Sequence, residues 1–398
     1  MSLPTFSQSP LDPAFVQNPY PAYDTLRAAG PLVMWDELSM PVAAGHEQVN
    51  ALLRDRRFGR ENPFPVEVPP HVAPFYDIDR LSLLDREPPE HTRLRRLITR
   101  AFTPRTVEGM SPDIFSLTNQ LIDDLQPGDD LLAKFCERLP VIVICRLLGV
   151  PEDRADDLLR WSHDMVAMYQ IRRDRAIEDA AVAATNAFRA FLETYLAERR
   201  AAPRDDLISA LIAAEEGGEK LSADELIATC ILLLNAGHEA TVHALGNGIK
   251  TLTETGQWHA HDPAKLTEEI LRHDPPLHLF SRYAMQDVEV FGHHFAKGEQ
   301  VGLLLAAANC DPAVWTDPTR FDATREPGPQ LALGAGLHFC VGGPLARLEI
   351  SIALPILIAR LPDLTLTEEP TFTDRWHFHG LHRLIATFTT KKPAMTGI

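Results

Sequence analysis

The sequence predicts a mainly α-helical fold with a minor β portion, and two observations support this prediction. The longest helical pattern runs over residues 222–253, and Ser222 and Glu225 make a capping box at its start. After Pro275 the pattern changes, and residues 288–305 form short alternating runs that are typical of β-hairpins. Helices therefore account for most of the chain, and strands gather near its carboxyl end.

The elements follow one another with few gaps. Helices are predicted, in chain order, over 23–29, 47–54, 91–102, 114–125, 131–148, 153–169, 176–200, 222–253 and 345–360. Short strands are predicted over 31–37 and 364–389. Residues 58–78 contain five prolines and predict a long irregular loop. Pro140 predicts a boundary between two helices in its neighbourhood.

Length and charge limit the classes of function. The chain has 398 residues and no linker, repeat or low-complexity tract, so we expect residues 1–398 to form a single domain. Its formal net charge is −17. Such an acidic chain is a poor candidate for binding nucleic acid or an anionic membrane surface.

Cysteine usage indicates a reducing compartment. The five cysteines are odd in number and not closely paired, which favours free thiols over a disulfide framework. There is no CxxC or HExxH pattern, no signal segment and no stretch of about 20 apolar residues. We therefore predict a soluble, cytoplasmic protein.

The segment from Leu333 to Gly343 carries the strongest chemical signal. It places Cys340 among glycines, just before a long helical pattern. A thiol at a helix N-terminus feels the positive end of the helix dipole, which favours the thiolate. A thiolate in a glycine-lined turn is suited to binding iron. The alternative is a buried structural cysteine, which is the usual state of a free thiol.

The central helix contains a second candidate. Gly237 lies in mid-helix, where glycine costs about 1 kcal/mol relative to alanine. It is followed by the acid Glu239. One interpretation is a pocket wall with a carboxylate that handles protons. The other is a packing glycine and an exposed glutamate.

Two charged groups have equally open interpretations. Glu269 and Arg272 lie three residues apart on one helix face and can pair, and Arg325 can join them. Pairs of this kind are common on helix surfaces.

The helix that begins near His91 is basic, with Arg95 on the same face as His91. It either holds anionic groups of a cofactor or partner, or is a solvated basic face.

Taken in sequence order, these residues resemble the cytochromes P-450, the haem-thiolate monooxygenases of the soluble bacterial type. The resemblance runs from Asn18-Pro-Tyr-Pro-Ala-Tyr to Gly380-Leu381. The cysteine segment follows the family pattern Phe-Gly-x-Gly-x-His-x-Cys-x-Gly, and Pro-Pro-Glu-His-Thr-Arg-Leu-Arg-Arg is typical of bacterial members. The resemblance implies the single triangular-prism domain of that family, without a fused reductase or ferredoxin.

The resemblance also assigns roles to residues. It implies that Cys340 is the axial ligand of a haem b iron. It implies a structural triad of Glu269, Arg272 and Arg325. Propionate ligands would be His91, Arg95, Arg282 and His338, and further haem contacts would be Leu333, Gly334, Gly342, Ala236 and Gly237. Catalytic residues would be Glu239, Ala240 and Thr241.

Two positions depart from the family pattern. Leu333 stands where the family usually has a phenylalanine that shields the thiolate, which predicts a shifted iron potential. Ala240 stands where the family usually has a threonine that assists proton delivery. Thr241 is one helix step, about 100°, away. We expect proton delivery here to depend on Glu239, ordered water or a substrate hydroxyl.

The resemblance further implies a hydrophobic pocket and external partners. The pocket is predicted from Phe75, Met165, Met168, Leu233, Leu277, Leu279 and Phe378, with His278, His377 and His379 as polar anchors. Ordinary core packing is the alternative for each. Electrons would come from a separate ferredoxin and its reductase, docked on Arg93, Arg96 and Arg347, and the protein would be a monomer.

The expected activity is insertion of one oxygen atom from O₂ into a small or medium hydrophobic molecule. Two alternatives remain open. One is a peroxide-dependent or atypical oxidation on the same fold, which Ala240 suggests. The other is a non-catalytic haem-binding sensor.

Overall fold

The computed structural model describes residues 2–170, 173–214 and 218–391. Within these ranges helices dominate and strands are few and short, which confirms the predicted mainly α fold. The α-helices are α1 Pro13–Gln17, α2 Tyr20–Ala29, α3 His46–Arg54, α4 Ala73–Asp79, α5 Glu90–Ala101, α6 Pro104–Glu108, α7 Ser111–Asp124, α8 Arg138–Leu148, α9 Ala155–Val166, α10 Arg175–Ala201, α11 Leu207–Ala213, α12 Ala223–Glu254, α13 Pro263–His273, α14 Leu305–Asn309 and α15 Gly343–Arg360.

The strands are β1 Thr5–Phe6, β2 Val33–Trp35, β3 Met40–Ala43, β4 Phe58–Gly59, β5 Leu279–Ala284, β6 Val288–Val290, β7 His293–Phe295, β8 Gln300–Leu304, β9 Thr365–Leu366 and β10 Ala386–Thr387. No described helix is both long enough and apolar enough to cross a membrane.

The described residues form two compact units. We call the first the sheet unit; it comprises the described residues of Met1–Phe64, Ile114–Arg138 and Ala240–Ile398. We call the second the helical unit; it comprises those of Pro65–Asp113 and Leu139–Glu239.

The sheet unit is built on a six-stranded sheet in the order β1-β2-β3-β8-β5-β4. Strands β5 and β8 pair antiparallel, with Leu279 opposite Leu304. Successive residues of β8 point to opposite faces, as strand geometry requires. Leu303 packs in a buried cluster with Val49 and Phe295, whereas Leu304 packs in another with Trp35. Apolar side chains thus cover both faces of the sheet.

The helical unit is held together by helix packing. Rings of Trp161 on α9 and Phe188 on α10 lie with their centroids 5.2 Å apart. Asn235 Nδ2 of α12 lies 3.7 Å from Met165 Sδ of α9, so α9 also packs beside the central helix. This packing brings α9 side chains next to the part of α12 that ends at Glu239.

The start of α12 confirms the predicted capping box. The Ser222 backbone N–H donates to Glu225 Oε2 at 2.8 Å, and the Glu225 N–H donates to Ser222 Oγ at 3.2 Å. The two residues therefore satisfy each other's backbone donors, as the spacing predicts.

One prediction about prolines was wrong in detail. The segment 58–78 is not an irregular loop throughout, because α4 begins at Ala73 with Pro74 in its first turn, where proline is tolerated. A helix boundary does lie near Pro140, since α8 begins at Arg138 and Pro140 lies in its first turn. The irregularity comes earlier, as a π-helical turn over Leu132–Cys136.

Candidate active site

Cys340 occupies a tight turn of the sheet unit. All five cysteines lie among the described residues; Cys340 is half-buried and the other four are buried. The Cys340 backbone N–H donates to the Leu333 carbonyl at 3.0 Å, which closes the turn. Helix α15 begins three residues later at Gly343, so the thiol lies near its positive end. This position favours the thiolate.

Glycines shape the turn. Gly334 and Gly336 both have φ of +70°, a conformation that glycine adopts without strain. A Cβ on Gly336 would lie 2.5 Å from the carbonyl oxygen of Leu53, so no side chain fits there. A Cβ on Gly342 would lie 3.9 Å from Cys340 Sγ, which is ordinary van der Waals contact. The turn leaves Cys340 half-buried and the preceding residue, Phe339, exposed.

Glu269, Arg272 and Arg325 form one buried ionic cluster in the sheet unit. Arg272 makes a two-pronged contact with Glu269, at 2.7 Å from Nε to Oε2 and 2.8 Å from Nη2 to Oε1. Arg325 Nε lies 3.1 Å from Glu269 Oε2. Arg272 also donates to the carbonyls of Asn309 and Pro318 at 3.0 Å and 2.7 Å. The cluster thus attaches α13 to the irregular chain that precedes the cysteine turn.

The neighbouring Glu268 makes a second link, which the sequence analysis did not single out. Arg347 on α15 contacts both Glu268 oxygens, at 2.5 Å from Nε to Oε1 and 3.2 Å from Nη2 to Oε2. Gln330 Nε2 donates to Glu268 Oε2 at 3.1 Å. Burial opposes ionisation of Glu268, but these hydrogen bonds outweigh it and hold its pKa below the usual value. Glu268 therefore anchors the helix that follows Cys340.

The predicted propionate ligands lie in both units. In the sheet unit, Arg282 on β5 is buried and His338 in the cysteine turn is half-buried. Arg282 Nη1 donates to the Ser281 carbonyl at 2.8 Å. In the helical unit, His91 is buried and Arg95 half-buried on α5. Each side chain carries donors suited to a carboxylate.

The predicted acid, Glu239, is buried in the helical unit. Its Oε1 lies 3.2 Å from Nε2 of His163 on α9 and 3.7 Å from Nε2 of His238. Ala240 is half-buried and Thr241 is buried. His163 is a residue that sequence reasoning missed, because it lies on another helix and no pattern marks it. Glu239 is thus not the exposed glutamate of the alternative interpretation.

Gly237 has a packing role. A Cβ on this residue would lie 3.0 Å from Cδ1 and Cγ1 of Ile144 on α8. The side chain of Ile144 therefore fills the space that the absent Cβ of Gly237 leaves. This agrees with the alternative that Gly237 is a packing glycine. Ala236, one position earlier, is exposed.

The predicted pocket residues differ in exposure. In the helical unit Phe75, Met165 and Met168 are buried, and Leu233 is half-buried. In the sheet unit Leu277, Leu279 and Phe378 are half-buried.

Two predicted anchors, His278 and His379, are part of a hydrogen-bonded group in the sheet unit. Asp274 Oδ1 lies 3.0 Å from His379 Nδ1 and 2.7 Å from the Tyr20 hydroxyl. The Tyr23 hydroxyl lies 2.9 Å from His278 Nδ1. An open polar cavity of about 780 Å³ adjoins Asp274 and His379. Of the predicted pocket residues, the anchor His379 is among the residues that line this cavity, and the seven apolar ones are not.

Comparison with known proteins decides the family. A family model described as Cytochrome P450 matches residues 265–381. The biotin biosynthesis cytochrome P450 of Bacillus subtilis (strain 168) is 35% identical, over 96% of this chain and 100% of that protein. The chain belongs to the cytochrome P450 family. It is therefore an enzyme of a monooxygenase family, as the motifs predicted.

Solved cytochrome P450 structures share the fold. P450BioI, in complex with an acyl carrier protein that carries hexadec-9Z-enoic acid, has a TM-score of 0.89 at 33% identity, over 95% of this chain and 99% of that chain. The myxobacterial CYP267B1, in complex with myristic acid, has a TM-score of 0.84 at 34% identity, over 96% and 99%. The expected cytochrome P450 fold is confirmed.

The cysteine turn of this cytochrome P450 fits the haem iron that the family implies. Gly342 keeps the space beside Cys340 Sγ free of a Cβ. Phe339, the residue before Cys340, is an exposed apolar side chain. A soft thiolate at a helix N-terminus, flanked by apolar surface, is the donor that haem-thiolate chemistry requires.

Proposed function

We propose that this cytochrome P450 is a single-domain haem b monooxygenase that inserts one oxygen atom from O₂ into a hydrophobic substrate. The observation that carries the proposal is Cys340, half-buried in a glycine turn at the start of α15. When bound, the haem supplies activation of O₂, so that one oxygen atom enters the substrate and the other leaves as water.

The chain's own residues bind and orient the cofactor. Cys340 would bind the haem iron through its thiolate. His91, Arg95, Arg282 and His338 would hold the propionates by charge-assisted hydrogen bonds. Leu333, Gly334, Gly342 and Ala236 would contact the haem, whereas Ile144 fills the space beside Gly237. The Glu269–Arg272–Arg325 cluster and the Glu268–Arg347 pair fix the chain on both sides of the turn.

Proton handling falls to Glu239, with Ala240 and Thr241 beside it in sequence. Ala240 offers no hydroxyl, so the usual alcohol donor is absent at that position. His163 is exposed and its Nε2 lies 3.2 Å from Glu239 Oε1, which supports a route from solvent to the carboxylate. His163 would pass a proton to Glu239 Oε1, and Glu239 would release it toward the reacting oxygen.

Fatty-acyl chains are the proposed substrate class. Two related structures hold fatty-acyl ligands, myristic acid in one and a carrier-bound hexadecenoic acid in the other. The proposed pocket is apolar, as such chains require, and consists of Phe75, Met165, Met168, Leu233, Leu277, Leu279 and Phe378.

A separate ferredoxin and ferredoxin reductase would supply electrons. Arg93, Arg96 and Arg347 are the residues proposed to contact an acidic ferredoxin. Arg93 is paired with Glu225 and Arg347 with Glu268, so part of their positive charge is neutralised within this chain. Arg96 is exposed on α5 and is the position chosen to test the contact.

The first experiment is a spectral titration of the ferric protein with saturated fatty acids of graded length, and with the same acyl chains on an acyl carrier protein. A low-spin to high-spin shift reports loss of water from the iron. Saturable shifts with either form, followed by hydroxylated product with redox partners, would support the proposal. Steroids and aromatic acids serve as controls of other shape. Shifts only with these controls would refute the fatty-acyl assignment.

Peroxide-driven oxidation is a second candidate, favoured by Ala240. It predicts product from hydrogen peroxide alone at a rate matching that with redox partners. A much faster reaction with ferredoxin, reductase and O₂ would exclude it.

A further inference from the structure

Three potential metal ligands converge in the helical unit. They are His163 from α9 and the consecutive residues His238 and Glu239 of α12. Nε2 of His163 lies 3.2 Å from Glu239 Oε1, and Nε2 of His238 lies 3.7 Å from the same oxygen. All three donor atoms lie within 4.8 Å of one another.

The separations of 3.2 Å and 3.7 Å from Glu239 Oε1 to the two imidazole nitrogens are close to those around a single tetrahedral ion. Zinc binds imidazole nitrogen and carboxylate oxygen at about 2.0–2.2 Å, so two ligand atoms on one ion lie about 3.3 Å apart. Two imidazoles and one carboxylate also make a known donor set for Zn²⁺, with water in the fourth position. Harder ions such as Mg²⁺ prefer oxygen ligands alone.

His238 is held in the form that a metal requires. Its Nδ1 lies 2.6 Å from the Leu234 carbonyl, which can only accept, so Nδ1 carries the proton and Nε2 has a lone pair. Nε2 is buried and has no hydrogen-bond partner among the described residues. Metal-bound histidines usually donate their other N–H to such a carbonyl.

We propose that His163, His238 and Glu239 form a Zn²⁺ site that shares no ligand with the haem iron. The exposed side of His163 gives the ion access from solvent, while the other two ligands are buried. One consequence rests on the proposed function: a zinc-bound Glu239 cannot carry a proton. Zinc would then be a reversible inhibitor of turnover.

Two similar clusters among the described residues differ from this trio. His71 Nε2 lies 2.7 Å from Glu178 Oε2, but no second imidazole joins this pair among the described residues, and Arg173 Nε lies 3.1 Å from the same carboxylate. Asp274, His278 and His379 offer the same types of donor, but Asp274 Oδ1 already accepts from the Tyr20 hydroxyl at 2.7 Å, and His278 Nδ1 lies 2.9 Å from the Tyr23 hydroxyl. The His71–Glu178 pair is therefore a matched control within the same unit.

The test is zinc binding to the full-length, haem-loaded, chelator-treated protein, measured by calorimetry with Zn²⁺ as the only added ligand. We expect one saturable site. Because even outer partners of a ligand change affinity by about 10–100-fold, His163→Ala should weaken binding at least about tenfold. Glu239→Gln should weaken it as well, and His71→Ala should leave it unchanged. Equal affinity in the wild type and His163→Ala, or no saturable site, would overturn the proposal.

A crystal soaked in Zn²⁺ gives an independent readout. Anomalous scattering at the zinc edge should place one ion about 2.0–2.2 Å from both Nε2 atoms and Glu239 Oε1. A zinc peak bound only elsewhere would refute the site. Zinc bound at the trio with undiminished turnover would refute Glu239 as the proton carrier and leave the metal site standing.

Discussion

Glu268 holds Arg347 by two contacts, the shorter at 2.5 Å, and so anchors the first turns of the helix that follows Cys340. The side chain of Glu268 is only 18% exposed, so solvent screens this pair less than a surface ion pair. The pair therefore stabilises the thiolate turn from the side of α13.

Replacing Glu268 by Gln should destabilise the protein by about 1–2 kcal/mol, because Arg347 loses its charged partner. The effect should depend on pH. The folded state lowers the pKa of Glu268, so its contribution is full above the unfolded pKa of about 4.3 and is lost as pH falls through the folded pKa. Urea unfolding from pH 7 to pH 3 measures both effects.

The matched control is Glu326→Gln, since Glu326 pairs with Lys265 but is 80% exposed. That variant should unfold almost as the wild type does. An equal loss of stability in the two variants, or a Glu268→Gln effect that persists unchanged at pH 3, would contradict the anchoring role.

Gly336→Ala should damage the cysteine turn severely. The residue would be forced to a φ of +70° with its Cβ 2.5 Å from the backbone oxygen of Leu53. The left-handed conformation costs about 1–2 kcal/mol and the clash about 1–3 kcal/mol more. Chemical unfolding and the reduced carbon monoxide spectrum should show lower stability and incomplete thiolate ligation.

Gly292→Ala separates the two causes. Gly292 has a similar φ of +74°, but nothing lies within 4 Å of its added Cβ. This variant should lose only the conformational term, about 1–2 kcal/mol, and keep the normal spectrum. If both alanine variants behave alike, contact with Leu53 does not shape the turn.

The sequence predicted elements whose signals are local. The capping box at Ser222 and Glu225 predicted the start of α12 within one residue, because two neighbouring side chains satisfy that terminus themselves. The sequence predicted α4 poorly, because the prolines near Ala73 suggested a loop, although proline fits the first turn of a helix.

The site was predictable where residues are close in sequence and invisible where folding brings distant residues together. Cys340 and its glycines lie within eleven residues, so the turn could be recognised directly. The contact of His163 with Glu239 depends on how α9 packs against α12, which no spacing encodes. The sequence analysis assigned no role to Glu268, because only the position of α15 brings Arg347 to it.

Ala240→Thr should improve the coupling of electron use to product. A hydroxyl at this position restores the alcohol that usually assists the acid in proton delivery. We expect product formed per NAD(P)H consumed to rise by at least about twofold, with less hydrogen peroxide released. Product and peroxide are measured together, with the preferred fatty acid at saturation. An unchanged or lower ratio would show that the wild type has no deficit in proton delivery.

Arg96→Glu should slow reduction of the iron without changing substrate binding. Arg96 is exposed on α5, and reversing its charge weakens attraction to an acidic ferredoxin. We expect the reduction rate to fall about 3- to 10-fold at low ionic strength, and the difference to shrink near about 0.5 M salt, where exposed charges are screened. Arg200→Glu, a change at another exposed arginine near the end of α10, is the control and should reduce at the wild-type rate. Stopped-flow reduction measures the rate, and the spin-state titration confirms unchanged affinity for substrate. Equal slowing in both variants would assign the effect to net charge and would remove α5 from the docking surface.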